Sequence, residues 1–312
     1  MLSIFKTDLA SGTLLELEDF EPGAWIDLVS PTDEELLRVK EALGIPLAFL
    51  RGPLDAEEKS RIDAEDELTH VIVDIPIIER VGGERAYDTI PLGMLVHPDY
   101  FITTCLQPNP ILGEFERGAV RSFATFKKTR FLLQILLQVS TYYLRYLGRI
   151  DRETDKIERE LRQSMKNEEL FDLLTLAKAL VYFSTSLRSN DAVLQKLLRT
   201  PAIKKYEEDE ELLEDVIVET RQAIEMAEVY SNILAGMMDA FASIISNNLN
   251  MVMKFLASIT IILSFPVMVS SLYGMNVPLP FQGDPHAFIF VLLVSLGLST
   301  VAAVIFWRKD YL

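Results

Sequence analysis

Seven residues, Asn250, Met253, Ala257, Thr260, Ser264, Val267 and Ser271, follow one another at steps of three and four along the chain. On a helix that spacing sets them in one line. Small or hydroxyl residues on one helix face permit close helix packing or line a polar pathway, and Thr260 and Ser264 taken singly fit either. The line as a whole starts at Asn250 and ends near Asn276, and its continuity favours a pathway. None of its members is a carboxylate. A bare divalent ion wants charged oxygens. A hydrated one can be held through its waters by amide and carbonyl oxygens, which suits Mg²⁺, an ion that sheds water reluctantly.

The elements that must position this line are two uncharged stretches, Phe255 to Met275 and Ala287 to Trp307, of 21 residues each. About 20 apolar residues cross a bilayer as a helix, so residues 255–312 are predicted to form a transmembrane helical hairpin with spans 255–275 and 287–307. Pro266 lies within the first span and frees a backbone carbonyl, which a membrane tolerates where protein or a wet cavity satisfies the group. The second span is apolar on most faces and is expected only to return the chain along lipid. Lys254 precedes the hairpin, Arg308 and Lys309 follow it, and the loop between spans carries Asp284 with no Lys or Arg. The positive-inside rule then puts both termini in the cytoplasm and the loop outside. The start of the chain lacks the apolar run of a secretory signal.

Residues 1–112 read as a mixed α/β domain. Strands are expected at Leu2–Lys6, Ala24–Val29, Leu68–Ile78, Thr89–Val96 and Tyr100–Cys105, bounded by turn residues such as Gly82-Gly83. Ser30 as N-cap, with Pro31 at the first helical position, opens a helix that should stop at Gly44. Residues 113–205 read as antiparallel helices, one over Thr129–Met165 and a second over Glu168–Arg199, interrupted at Asn167 and ended by Thr200-Pro201. From Tyr206 a third pattern runs unbroken into the membrane. Leu213, Ile217, Thr220, Ile224, Ala227, Ser231, Leu234, Met238, Phe241, Ile245 and Asn248 form one stripe. Continued to Leu272 the helix is roughly 100 Å long at 1.5 Å per residue. Such a helix must pack on copies of itself or on the two preceding helices. Residues 206–254 are read as an oligomeric stalk.

The net charge of −16 falls wholly in residues 1–254. It excludes a phosphate-neutralising surface and hence nucleic acid, and it attracts small cations. Glu207 to Glu211 with Glu214 and Asp215 is a dense acidic run. It fits favourable charge at a helix start first and metal binding second. Enzyme signatures are missing. The three histidines, His70, His97 and His286, lack partners at metal-ligand spacing, Cys105 is alone, and no P-loop, nucleophile elbow or dinucleotide fingerprint occurs. His70 and His97 read as structural histidines.

At Tyr273-Gly274-Met275-Asn276 the chain resembles the CorA-type divalent-cation transporters, whose signature is Gly-Met-Asn at the outer end of the first of two C-terminal spans. Span, signature, short loop, second span and charged C-terminus recur here in that order, and the likeness extends over the N-terminal α/β domain and the stalk. The resemblance implies an α+β cytoplasmic domain with a mixed sheet, long helices and a two-span hairpin, assembled as a homopentamer in the plasma membrane. It implies a selectivity ring at Asn276, with Gly274 and Met275 shaping the turn. Asn250 and Met253 then line the inner pore and Leu256 its constriction, and Asp215 takes part in a regulatory Mg²⁺ site between subunits. The loop Val277 to Asp284 departs from the family's usual Met-Pro-Glu-Leu. Ser264 and Val267 stand where other members have methionine and threonine, and the C-terminal basic cluster is thin.

These features favour a channel-like importer of Mg²⁺, with Co²⁺ and Ni²⁺ as further cargo, driven by membrane potential and not an enzyme. A proton-coupled Zn²⁺ transporter of the same fold is the first alternative. A membrane-anchored scaffold or sensor without a pore is the second, and the polar line on the first span stands against it.

Overall fold

The computed structural model describes residues 1–65, 67–81, 84–164, 167–199, 206–281 and 283–311, and the backbone alone at 80, 81, 84, 162–164, 167, 168 and 207. The expected Gly82-Gly83 turn, the Met165 helix end and the Thr200-Pro201 stop lie outside the described residues. Two compact units divide the chain, Met1–Ala235 and Gly236–Leu312.

The first unit is built on a seven-stranded mixed sheet. Its strands are β1 (Leu2–Thr7), β2 (Leu14–Leu17), β3 (Trp25–Val29), β4 (Arg61–Glu65), β5 (Leu68–Val81), β6 (Glu84–Val96) and β7 (Phe101–Cys105), in the order β2-β1-β3-β7-β6-β5-β4. β3 and β7 pair in parallel at the centre, Trp25 opposite Phe101, and the remaining pairs are antiparallel. Successive side chains point to opposite faces, so β3 feeds two cores. Ile26 and Leu28 pack with Leu36, Val39, Ile45, Leu50, Leu95 and Ile102. Trp25 and Phe101 instead meet Phe131 on the other face, with ring centroids 5.1 and 4.4 Å apart. All five strands expected from the sequence are present. The two that were not foreseen, β2 and β4, sit at the sheet edges and carry charged or mixed sequences (Leu-Leu-Glu-Leu and Arg-Ile-Asp-Ala-Glu). Edge strands commonly look so, because charge there discourages pairing with other chains.

Helix α1 (Asp33–Leu43) stops at Gly44 in the left-handed conformation, φ 70°, as expected. Its N-cap is Thr32 and not Ser30. Thr32 and Glu35 form a reciprocal capping box, while Ser30 takes φ 45°. The Glu35 carboxylate also accepts from the Leu2 backbone N–H at 2.9 Å, so the cap ties the helix to β1. Two short helices, α2 (Leu47–Arg51) and α3 (Pro110–Glu116), precede the long ones.

Those are α4 (Lys128–Ser164), α5 (Asn167–Leu197) and α6 (Glu207–Tyr273). Asn167, expected as the break between the two long helices, is the first residue of α5. By length and composition α5 could cross a membrane, but it docks on the sheet. Its Asn190 amide accepts from the Asp74 backbone N–H at 2.9 Å and donates to the Asp74 carbonyl at 2.8 Å. α6 has 67 residues, the length read from its periodicity. Its stripe between Leu213 and Leu234 is covered by the chain's own α4 and α5. Leu213, Thr220, Ala227 and Leu234 are buried, Ser140 of α4 and Thr220 share a 2.7 Å hydrogen bond, and Arg188 of α5 pairs with Glu228. Of the two packing partners open to this stripe, the preceding helices take it, so this part of the stripe is not the oligomer face.

The second unit holds the C-terminal part of α6 and α7 (Ala287–Arg308), the two spans of the hairpin.

Candidate functional site

The hairpin is held by small and apolar groups. Ser258 and Val269 on the first span, and Ser295 and Ala302 on the second, are its buried residues, and Ile262, Phe265 and Tyr273 are half-buried beside them. At 3.6 residues per turn, Thr260, Ser264, Val267 and Ser271 lie about half a turn round from that set. They are exposed, as are Asn250, Met253, Leu256 and Ala257, and Val267 is 69% exposed. Every member of the predicted line therefore sits on the face that the second span does not cover. Two of the hydroxyls there are not free donors toward a pathway. Thr260 donates to the Leu256 carbonyl at 2.8 Å and Ser264 to the Ile261 carbonyl at 2.7 Å. Their outward lone pairs can still accept from water in the shell of a cation.

Gly274 ends the first span. Its N–H reaches the Ser270 carbonyl at 2.9 Å, and Met275 N–H the Leu272 carbonyl at 3.3 Å. The glycine is not at positive φ, and a Cβ there would stand 3.3 Å from the Ser270 oxygen, a tight contact. Asn276 follows, exposed, with no side-chain hydrogen bond among the described residues, so its amide oxygen is available. The loop beyond folds on itself. Tyr273 Oη donates to the Pro280 carbonyl at 3.4 Å, Asp284 Oδ1 accepts from His286 N–H at 2.8 Å, and Phe281 packs on Phe290 at 5.3 Å. At the opposite end of the hairpin the Lys254 ammonium lies 5.5 Å over the Tyr311 ring, near Arg308 and Lys309.

The Pro266 carbonyl question has a protein answer rather than a wet one. Pro266 has no N–H, so the Ile262 carbonyl four residues earlier loses its helical donor. Ser299 Oγ of α7 donates to that carbonyl at 3.2 Å. The sequence reading gave the second span no part beyond returning the chain, and this bond corrects it. The signal was present: a proline in a span asks for a donor on its neighbour.

At the start of α6, Arg130 reaches Glu208 at 3.1 Å and Asp209 at 3.6 Å. Burial raises the Asp209 carboxyl above its ordinary value, and the Arg130 charge opposes this. Asp215 is exposed, with no ion pair or hydrogen bond among the described residues. No group of three His, Cys, Asp or Glu with metal-holding geometry occurs among them.

An α/β unit, a helix that runs on into a span, and a two-span hairpin with an exposed hydroxyl line define a membrane transporter of the two-span class. The chain belongs to the family described as CorA-like Mg²⁺ transporter protein, which matches residues 21–309. It is 28% identical over 298 residues to the cobalt/magnesium transport protein CorA of Methanocaldococcus jannaschii, covering 92% of this chain and 91% of the relative. It is 24% identical over 320 residues to the protein of that name from Thermotoga maritima, covering 98% and 87%. The complete structure of the CorA magnesium transporter from M. jannaschii superposes with a TM-score of 0.86 at 26% identity, over 100% of this chain and 99% of that one.

Proposed function

We propose that this protein imports hydrated Mg²⁺, with Co²⁺ as further cargo and Ni²⁺ beside it, through a pathway lined by the exposed face of its first span. The observation that carries this reading is the position of that face: small and hydroxyl groups from Asn250 to Ser271 lie opposite the hairpin contact and run to Asn276. The M. jannaschii and T. maritima relatives, described as cobalt/magnesium transport proteins, support the cargo. One chain cannot enclose a pathway with a single helix face, so copies must close it; five-fold assembly is proposed from the family resemblance. Asn276 then forms a ring at the outer mouth, Gly274 and Met275 hold it in place, and Leu256 narrows the inner end. Lys254, Arg308 and Lys309 at one end of the hairpin and Asp284 at the other support cytoplasmic termini. An inside-negative potential drives import without ATP, at roughly 4.6 kcal/mol per divalent ion per 100 mV. Mg²⁺ bound near Asp215 between subunits is the proposed feedback.

The test is metal uptake into vesicles containing the purified protein, with an imposed potential and with or without a pH gradient. Mg²⁺ uptake should follow the potential and ignore the pH gradient. Uptake of Zn²⁺ alone, and only with a pH gradient, would overturn the reading, as would no uptake of any divalent metal.

A further inference from the structure

We propose that Ser299 is a positioning residue of the transport pathway. Its hydroxyl takes the Ile262 carbonyl that Pro266 leaves without a donor, and the bond fixes which face of the first span turns away from the second. Three observations meet here. Pro266 stands inside α6, where it removes the hydrogen bond to the carbonyl four residues earlier and crowds it. Ser299 Oγ lies 3.2 Å from that carbonyl. The span hydroxyls of Ser258, Thr260 and Thr300 tie back to the carbonyl four residues earlier in their own helix, at 2.8, 2.8 and 2.7 Å. Ser299 instead crosses to the other span.

In hydrocarbon an unpaired carbonyl has no water to turn to. Proline also weakens the helix that carries the pathway. Rotation of that helix about its axis would carry Thr260 and Ser264 toward the second span, and a bond at Ile262, between them in height and on the opposite face, resists this. Such a bond across membrane helices is modest, about 0.6 kcal/mol on average in double-mutant cycles, which corresponds to about threefold in a rate.

This inference rests on reading the first span as the pathway, and the experiment separates the two. Ser299→Ala, Ser299→Thr, Pro266→Ala and the double variant Pro266→Ala/Ser299→Ala are compared in two assays. Pro266→Ala restores the N–H, so the Ile262 carbonyl regains its own helical donor. In the native background Ser299→Ala should lower the thermal midpoint in detergent by about 2 °C. It should also lower the maximal Mg²⁺ uptake rate per assembled protein about threefold, with half-saturation unchanged because Asn276 is not touched. Ser299→Thr should restore both. In the Pro266→Ala background Ser299→Ala should change neither. An equal loss in both backgrounds would reduce Ser299 to packing and overturn the proposal, and so would no loss in the native background. The thermal cycle reads the bond even if no variant transports, and a wild type without uptake would instead sink the transport reading.

Discussion

The two units of this chain solve burial in opposite ways. In residues 1–235 a single chain closes its own core: Trp25, Phe101, Phe115 and Phe131 are fully buried, and the one long helix that could be mistaken for a span, α5, is anchored to the sheet. In residues 236–312 most apolar side chains face outward, with Phe288 at 77% and Leu263 at 63% exposure. One chain cannot complete that unit, so lipid must cover it, together with the further copies proposed above. Substitutions in the first unit should therefore register as stability, and substitutions on the exposed face of the second as transport.

The largest expected effect is at Asn276. Its side chain is exposed and has no hydrogen-bond partner among the described residues, so Asn276→Ala should leave folding and assembly intact. Loss of hydrogen bonds to a hydrated cation, at about 1.5–3 kcal/mol, corresponds to a fall of about tenfold to a hundredfold in uptake at low external Mg²⁺. Asn250→Ala should reduce uptake less. Normal uptake by the Asn276 variant, measured in vesicles, would break the comparison at its most exposed point.

Asp27 tests the closed unit. Its carboxyl is buried on β3, where Thr103 Oγ1 donates to it at 2.5 Å and the Trp25 indole N–H donates to Thr103 at 2.7 Å. Burial pushes its pKa from 3.8 up to about 7, the Thr103 bond opposes this, and Glu116 adds to it. Between those values the folded chain keeps a proton that the unfolded chain has released. The contribution to stability is therefore complete below about pH 4, declines as pH rises, and levels off above about 7. The gap sets an upper limit of about 4 kcal/mol. Asp27→Asn keeps an acceptor for Thr103 and should remove this decline in denaturant unfolding of the whole protein. A pH profile of unchanged slope would mean that Asp27 is not the group responsible.

What the sequence made legible follows the same division. Periodicity gave α6 its length and placed the line from Asn250 to Ser271 on one face, because a helix converts spacing into direction without knowledge of neighbours. The strands foreseen were apolar and central. β2 and β4 were missed because edge strands carry charge, and Thr32 displaced Ser30 as cap because the Glu35 partner completes a box. The stripe from Leu213 to Leu234 was correctly apolar, but a stripe does not name what covers it. Nor did the sequence show which span would answer Pro266: Ser299 acts across a gap of 37 residues, and only the register of the hairpin brings it there.

A smaller stability effect is expected at Gly93, in the middle of β6 opposite Ile72 and Thr104. A Cβ there would fall 2.1 Å from Pro53 Cγ and 2.9 Å from Pro53 Cβ, so the turn carrying Pro53 must shift. Overpacking of this kind costs about 1–3 kcal/mol. Gly93→Ala should lower the thermal midpoint while the uptake rate per folded protein stays that of the wild type. A changed half-saturation for Mg²⁺ would show that the two units are not separable in this way.

The smallest effect on the isolated chain, and the sharpest test of the division, is at Asp215. It belongs to the first unit yet lies exposed on α6, with no partner among the described residues, unlike Asp209, which Arg130 engages at 3.6 Å. No described residue of the chain pairs with it, so Asp215→Ala should leave the thermal midpoint unchanged in the absence of divalent metal. Between assembled copies the position differs. Carboxylates brought near one another repel, and a bound cation relieves that repulsion. Such a cation shifts the assembly only toward the arrangement that binds it better. If that arrangement is the closed one, internal Mg²⁺ limits its own uptake. Asp215→Ala should then require more internal Mg²⁺ for the same inhibition, and Asp215→Lys should mimic the metal by placing a fixed positive charge among the remaining carboxylates. Protease protection by Mg²⁺ reads the same equilibrium without transport. Inhibition and protection both unchanged in the Ala variant would leave Asp215 as a helix-start carboxylate, and the first unit would then be complete in a single chain at this point as well.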